Sequence, residues 1–354
     1  MAMTGFISGS AGRLTAKRLV AVLALCTAVS ALIAVLAPLF GVVVDRTGWH
    51  LDLLGPSALD PGSPDHAILW IRVPRALAAL LVGAALAGAG CALQALLRNP
   101  LAEPFTLGIS SGASLAAVVA IRLGVDGVFG VTGVGGAALI GAAVTLLVVW
   151  RLARIGKHLP PATLVLAGVT MSMFCSSVSV LIQYTSDFTD VIQIVQWMMG
   201  SMETVRLVTV GYAAPAIGVA LLVLVAYARE LNALAAGPDV AASLGVAVGR
   251  TQTVIFATAS LLVGAAIAVV GPIGFVGLIV PHALRAVLGP DHRLLLPTSM
   301  LGGAVVLALC DTIARTIVPL HHLPTGAVTA VLGVPFFVVI LVGQKQRALL
   351  WGRG

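Results

Sequence analysis

The chain has 354 residues, is 59% hydrophobic and only 9% charged, and has a mean hydropathy of +1.09. Soluble domains carry about 25% charged residues, so this composition excludes a soluble enzyme and implies one all-α transmembrane domain over 1–354. The net charge of +7 is spread over short segments between apolar runs, which orients a membrane protein and does not make a nucleic-acid surface.

A membrane-crossing helix needs about 20 mostly apolar residues. Cutting at charges, prolines and glycine turns predicts about ten spans, near 19–44, 74–97, 105–123, 128–150, 161–185, 206–228, 251–270, 274–288, 295–314 and 325–343. The first follows Arg13, Lys17 and Arg18 and is too long for a secretory apolar region of roughly 7–15 residues, so it reads as an uncleaved span. The second includes Ala76 to Leu97, 22 residues without an ionisable side chain and rich in small residues that let helices approach closely. The third opens on Gly108-Ile109-Ser110-Ser111-Gly112, the G-x-S-x-G pattern of a nucleophile. With no strand before it and no nearby His, it reads as helix-start and close-packing chemistry. Gly133-Val134-Gly135 with Ala138 copies a dinucleotide fingerprint, again without the strand that chemistry needs. The eighth predicted span is short and interrupted by Pro272 and Pro281, the mark of backbone that lines or bends around a cavity.

Between the sixth and seventh spans, the segment 229–250 is divided by Gly237-Pro238 into two predicted helical pieces, with Asp239 capping the second. Such a loop is a docking-surface candidate. Gly245 to Thr251 imitates a phosphate loop but is one residue short and has Arg250 in place of Lys, so any ATP is hydrolysed by another subunit. With the N-terminus inside, Arg46, Arg72, Arg75, Arg122, Arg206 and Arg315 fall outside and the remaining fourteen of twenty Lys and Arg inside. That asymmetry favours two cytoplasmic termini.

Little in the chain is equipped for covalent chemistry. Cys26, Cys91, Cys175 and Cys310 lie far apart in apolar segments and read as core residues. No histidine pair has zinc spacing on a helix, though His321-His322 beside an outer mouth could meet a metal-containing substrate. Asp311 and Arg315 can pair at i,i+4 near a helix end. Intramembrane carboxylates are otherwise scarce, which argues against an ion-coupled secondary transporter, the alternative from another class. A scaffold or receptor without transport is disfavoured by the broken eighth span.

An ordered set of motifs remains: RVPR at 72–75, Gln94 with RNPLAEPFTLGISSGAS at 98–114, LAG at 166–168, WMMGS at 197–201 and ASLGV at 242–246. It continues with GPIGFVGLIVPH at 271–282, GPDHR at 289–293, ARTI at 314–317, LPTG at 323–326 and GVPFF at 333–337. Over roughly 60–343 the chain resembles the permease subunits of the iron-siderophore, haem and vitamin B12 (FecCD-type) family of binding-protein-dependent ABC importers.

The resemblance implies a ten-span type II ABC importer permease that pairs with a copy of itself in the bacterial cytoplasmic membrane. Two ATP-binding cassette subunits dock inside and a periplasmic or tethered solute-binding protein outside. No enzyme activity and no cofactor are expected. The family's contacts to the binding protein map onto Arg72, Arg75 and Arg315. Its ATPase-coupling element maps onto 231–250, with Leu231, Asn232, Ala242, Ser243, Leu244 and Gly245 as the coupling residues. The inner gate of the vitamin B12 permease maps onto Asn99 and Leu101. Pro100 restricts Asn99 to extended conformations, which turns this stretch off the helical track. A second constriction of that permease uses small hydroxyl residues, where this chain has Leu159-Pro160-Pro161-Ala162. The expected substrate is an iron chelate, haem or a ferric siderophore, with a corrinoid, vitamin B12 (cobalamin), as the alternative.

Overall fold

A computed structural model of the chain describes residues 15–45, 48–156, 158–318 and 323–351. Helix α1 (Ala16–Leu39) starts where the Thr15 hydroxyl accepts from the Arg18 N–H at 3.3 Å, and it ends just past Pro38. The predicted span 19–44 therefore stops early. Strands β1 (Phe40–Asp45) and β2 (Gly48–Leu53) pair antiparallel, from Phe40 opposite Leu53 to Asp45 opposite Gly48. The run Val42-Val43-Val44 is β-branched and leaves the helix for a strand; hydropathy alone reads it as more helix.

Helix α2 (Pro64–Leu96) begins ten residues ahead of its predicted span. Ser63 Oγ accepts from the His66 N–H at 3.1 Å, Pro64 occupies the first turn and Asp65 favours the N-terminal dipole end. At 33 residues the helix is about 50 Å long, well beyond the ~30 Å hydrocarbon layer. The RVPR motif at 72–75, expected at the outer edge of the span 74–97, thus lies inside the helix.

Further along run α3 (Ile109–Arg122), α4 (Val125–Ala153), α5 (Pro161–Tyr184), the short α6 (Phe188–Met198) and α7 (Leu207–Ala226). Helix α6 was hidden in the sequence among Asp187, Asp190 and other loop residues. The connection after α7 holds α8 (Ala228–Ala236) and α9 (Pro238–Ser243), the two pieces anticipated. Asp239 does not cap the second: Pro238 takes the first helical position, Gly237 (φ 123) precedes it, and Asp239 sits within the first turn. Then come α10 (Val248–Val270), α11 (Val276–Leu288), α12 (His292–Thr316) and α13 (Thr325–Trp351).

Among the described residues seven helices are long and apolar enough to cross a membrane, and three shorter apolar ones (109–122, 276–288 and 325–339) bring the number to ten. The chain is an all-α membrane bundle apart from the single hairpin. Its core is α2, wrapped by α10, α11 and α12. Glycine makes this packing possible. A Cβ on Gly83 of α2 would collide with the Gly303 carbonyl of α12, and one on Gly90 with the Gly277 carbonyl of α11. Gly108 (φ 79) opens α3 against Gly168, and Gly112 packs on Thr145 of α4, so the G-x-S-x-G pattern serves a turn and a helix crossing. Helices α1 and α5 keep apolar side chains such as Leu32, Leu166 and Leu181 exposed, as lipid-facing spans do.

Candidate functional site

The residues singled out in the sequence fall into three groups along the bundle. At the hairpin end, α2 brings Arg72 and Arg75, and the last turn of α12 brings Arg315, around Asp311. Arg75 Nε donates to Asp311 Oδ1 at 2.7 Å, and Arg315 Nε lies 3.7 Å from Oδ2, the i,i+4 pair expected from sequence. Arg315 Nη2 also donates to the Ala37 carbonyl and to Thr312 Oγ1, and Arg72 Nη2 donates to the Val42 carbonyl at 3.2 Å. Gly41 lacks the Cβ that would strike the Arg72 guanidinium. Arg75 and Arg315 are only 7% and 8% exposed and Arg72 is half-buried. All three are expected on the outer side from the sequence; in the structure the chain at 37–42 lies over the cluster through the Ala37 and Val42 carbonyls.

The second group surrounds the broken helix. After α10 the backbone turns at Gly271 (φ 75), continues without regular structure, and enters α11 through Phe275, a non-glycine residue at φ 68. Helix α11 has 13 residues, about 20 Å of rise, too short to cross alone. Glu103 Oε1 accepts from the Phe275 N–H at 2.7 Å and so serves the first of the unpaired amides at this helix start. Pro281 has no N–H for the carbonyl of Gly277 four residues earlier. Gln94 Nε2 reaches that carbonyl at 3.4 Å and the Leu278 carbonyl at 3.2 Å. Asn99 and Leu101 lie on the loop that carries Glu103. Arg98 is left-handed (φ 49), Asn99 Oδ1 accepts from the Leu101 N–H at 2.9 Å, and the Ala102 N–H donates to the Asn99 carbonyl at 3.0 Å. The Asn99 amide thus folds back on its own turn.

At the opposite end, the six residues expected to couple to the ATPase divide by burial. Leu231 is buried, and Asn232 Nδ2 donates to Asp291 Oδ1 at 2.8 Å while its Oδ1 accepts from the His292 N–H at 2.8 Å. These two anchor α8 to the start of α12. Ala242 and Ser243, which close α9, and Leu244 and Gly245, just past it, are exposed, Leu244 by 69%. The carboxyl of Asp291 is held down at about 2, first by its hydrogen bonds from Arg293 and then by that from Asn232. It is therefore ionised, and available to Asn232, throughout the neutral range.

A cavity of about 460 Å³ opens near the hairpin end between α6, the end of α10 and Pro324. Gln193, Gln196, Trp197, Ser201 and Glu203 give it a mixed polar wall. His321-His322 lies outside the described residues. Cys91, Cys175 and Cys310 are buried and Cys26 half-buried, all as free thiols.

Sequence reasoning missed Gln94 and Glu103 as partners of the broken helix, and Asp291 as partner of Asn232. The signal for the first two was present: a buried polar residue must find a partner, and Pro281 and the break before Val276 create backbone groups that need one. Asp291 could be read as the N-cap of α12, but its tie to Asn232 spans 59 residues and has no local trace.

A short helix that starts from irregular backbone inside a bundle of membrane spans, with side chains of neighbouring elements serving its polar groups, is a construction that membrane transporters use. The model of the FecCD transport family matches residues 56–343, and the chain belongs to this family of ABC importer permeases. It is 43% identical over 279 residues to the cobalamin import system permease protein of Halobacterium salinarum, covering 79% of this chain and 74% of that one. It is 38% identical over 284 residues to the hemin transport system permease protein of Yersinia pestis, covering 80% and 85%. A metal-chelate type ABC transporter solved in an inward-facing conformation superposes with a TM-score of 0.79 at 30% identity, over 92% of this chain and 99% of that one.

Proposed function

We propose that two copies of this chain form the pathway of an importer for a large iron chelate, haem or a ferric siderophore, across the bacterial cytoplasmic membrane. Two separate ATP-binding cassette subunits drive it, and a solute-binding protein delivers the substrate. The observation that carries the reading is the break between Gly271 and Val276 within a family whose relatives are named for such cargoes. Cobalamin is the second reading, favoured by the 43% identical permease.

In this reading the hairpin end faces outward and both termini lie inside. Arg72, Arg75 and Arg315 meet acidic side chains of the binding protein, where ion pairs steer docking and set register more than they add affinity. Ala242 to Gly245 enter the ATPase, anchored through Leu231 and Asn232. Asn99 and Leu101 narrow the inner end of the pathway.

Uptake of radiolabelled haemin, a ferric siderophore and cyanocobalamin, compared in a deletion strain and its complemented parent, tests the assignment. Loss of haemin or siderophore uptake with cyanocobalamin uptake intact is the expected result. Loss of cyanocobalamin uptake alone favours the second reading. Uptake that persists with a catalytically dead ATPase refutes an ABC importer.

A further inference from the structure

Asp311 has no place in the docking reading, yet the arginine cluster is built around it. It is 2% exposed, and among the described residues it is the carboxylate that both Arg75 and Arg315 reach. The two guanidiniums come from different helices, and without an anion between them they would repel each other away from water. Asp311 accepts a hydrogen bond from Arg75 Nε and faces Arg315 Nε as an ion pair at 3.7 Å, beyond hydrogen-bond distance. Arg75 Nη2, Arg315 Nε and Arg315 Nη1 are left buried with no hydrogen-bond partner among the described residues. Buried donors in that state are rare and call for an explanation. Thr325, the first residue of α13, donates from Oγ1 to the same Asp311 Oδ1 at 3.1 Å, so three helices converge on one carboxylate.

We propose that Asp311 is the positioning residue of the outer docking patch: it holds Arg75 by a hydrogen bond and Arg315 by charge, so that Arg75 Nη2 and Arg315 Nη1 stay unspent for a carboxylate of the incoming binding protein. This rests on the docking reading given above. The stretch 37–42, bonded to Arg315 through the Ala37 carbonyl and to Arg72 through the Val42 carbonyl, is the part that shifts when that carboxylate arrives.

Two measurements on the full-length protein in lipid nanodiscs test it. First, p-hydroxyphenylglyoxal modification of each arginine is followed by mass spectrometry. Asp311→Asn should speed modification of Arg75 and Arg315 at least about tenfold, because an uncompensated buried cation seeks water. Arg285, half-buried at the opposite end, should keep its rate, which general unfolding would not allow. Asp311→Glu should restore most of the protection. Second, association with the cognate solute-binding protein is titrated against sodium chloride. Asp311→Asn should weaken it and flatten its salt dependence, with partial rescue by Asp311→Glu. Should Asp311→Asn not yield folded protein, Asp311→Ser takes its place with the same expected rates and slope. Wild-type rates and slopes in the folded Asp311→Asn or Asp311→Ser variant would overturn the positioning role. Charge reversal at Arg72, Arg75 and Arg315 that leaves binding-protein association unchanged would overturn the docking reading instead, whatever the modification rates show.

Discussion

Gln94 and Pro281 form a compensating pair. Proline inside a helix removes one donor from the ladder, and in a bundle interior no water replaces it. Gln94 supplies the missing N–H from a neighbouring helix. Gln94→Leu should therefore leave buried carbonyls unserved and lower stability by about 1–3 kcal/mol. Adding Pro281→Ala should recover part of that loss, because the restored amide can bond to Gly277 within α11. A thermal-unfolding cycle over the two single variants and the double variant measures this coupling. Additive losses in the double variant would refute the pairing. The same logic explains why Gln94 could be picked out in the sequence only as part of a motif: its partners are carbonyls 183 and 184 residues away.

At the scale of elements, α8 and α9 separate anchoring from presentation. The buried Leu231 and the Asn232–Asp291 tie fix α8 to the body, while Ala242 to Gly245 project from the end of α9. Replacing 231–250 by a flexible linker should leave membrane insertion intact and abolish co-purification with the ATPase. A linker variant that still co-purifies and transports would show that coupling runs elsewhere. This element was legible in the sequence because Gly237-Pro238 is a local signal. The hairpin and the true start of α2 were not. Hydropathy does not distinguish a valine strand after Pro38 from more helix, and the polar cap Ser63-Pro64-Asp65 lies in a stretch that reads as loop. Since RVPR sits inside α2, that misplaced boundary also hid the burial of Arg75. The ten-span count survived because it depends only on apolar runs, whereas cluster geometry depends on contacts across the bundle.

For the whole molecule, the proposed reading has the pathway arise where two copies meet, which would make the inner gate a property of that assembly. Leu101 is half-buried at the end of a turn that Asn99 closes upon itself and that Glu103 ties to the start of α11. A cysteine placed by Leu101→Cys should cross-link to its symmetry mate when the pathway is open outward and lose that cross-link when the inside opens. The reading is wrong if the cross-link is absent or equal in every nucleotide state. The layout of the bundle carries a further consequence. The broken α11 is packed against α2 at Gly277, whereas α1 and α5 turn apolar side chains outward. Strain from a bilayer that is too thick or too thin is felt first by the helices that touch lipid. On α1 and α5 those positions belong to full-length spans, so at Gly277 the short helix meets the mechanics of the surrounding membrane only through α2 and the helices packed around it.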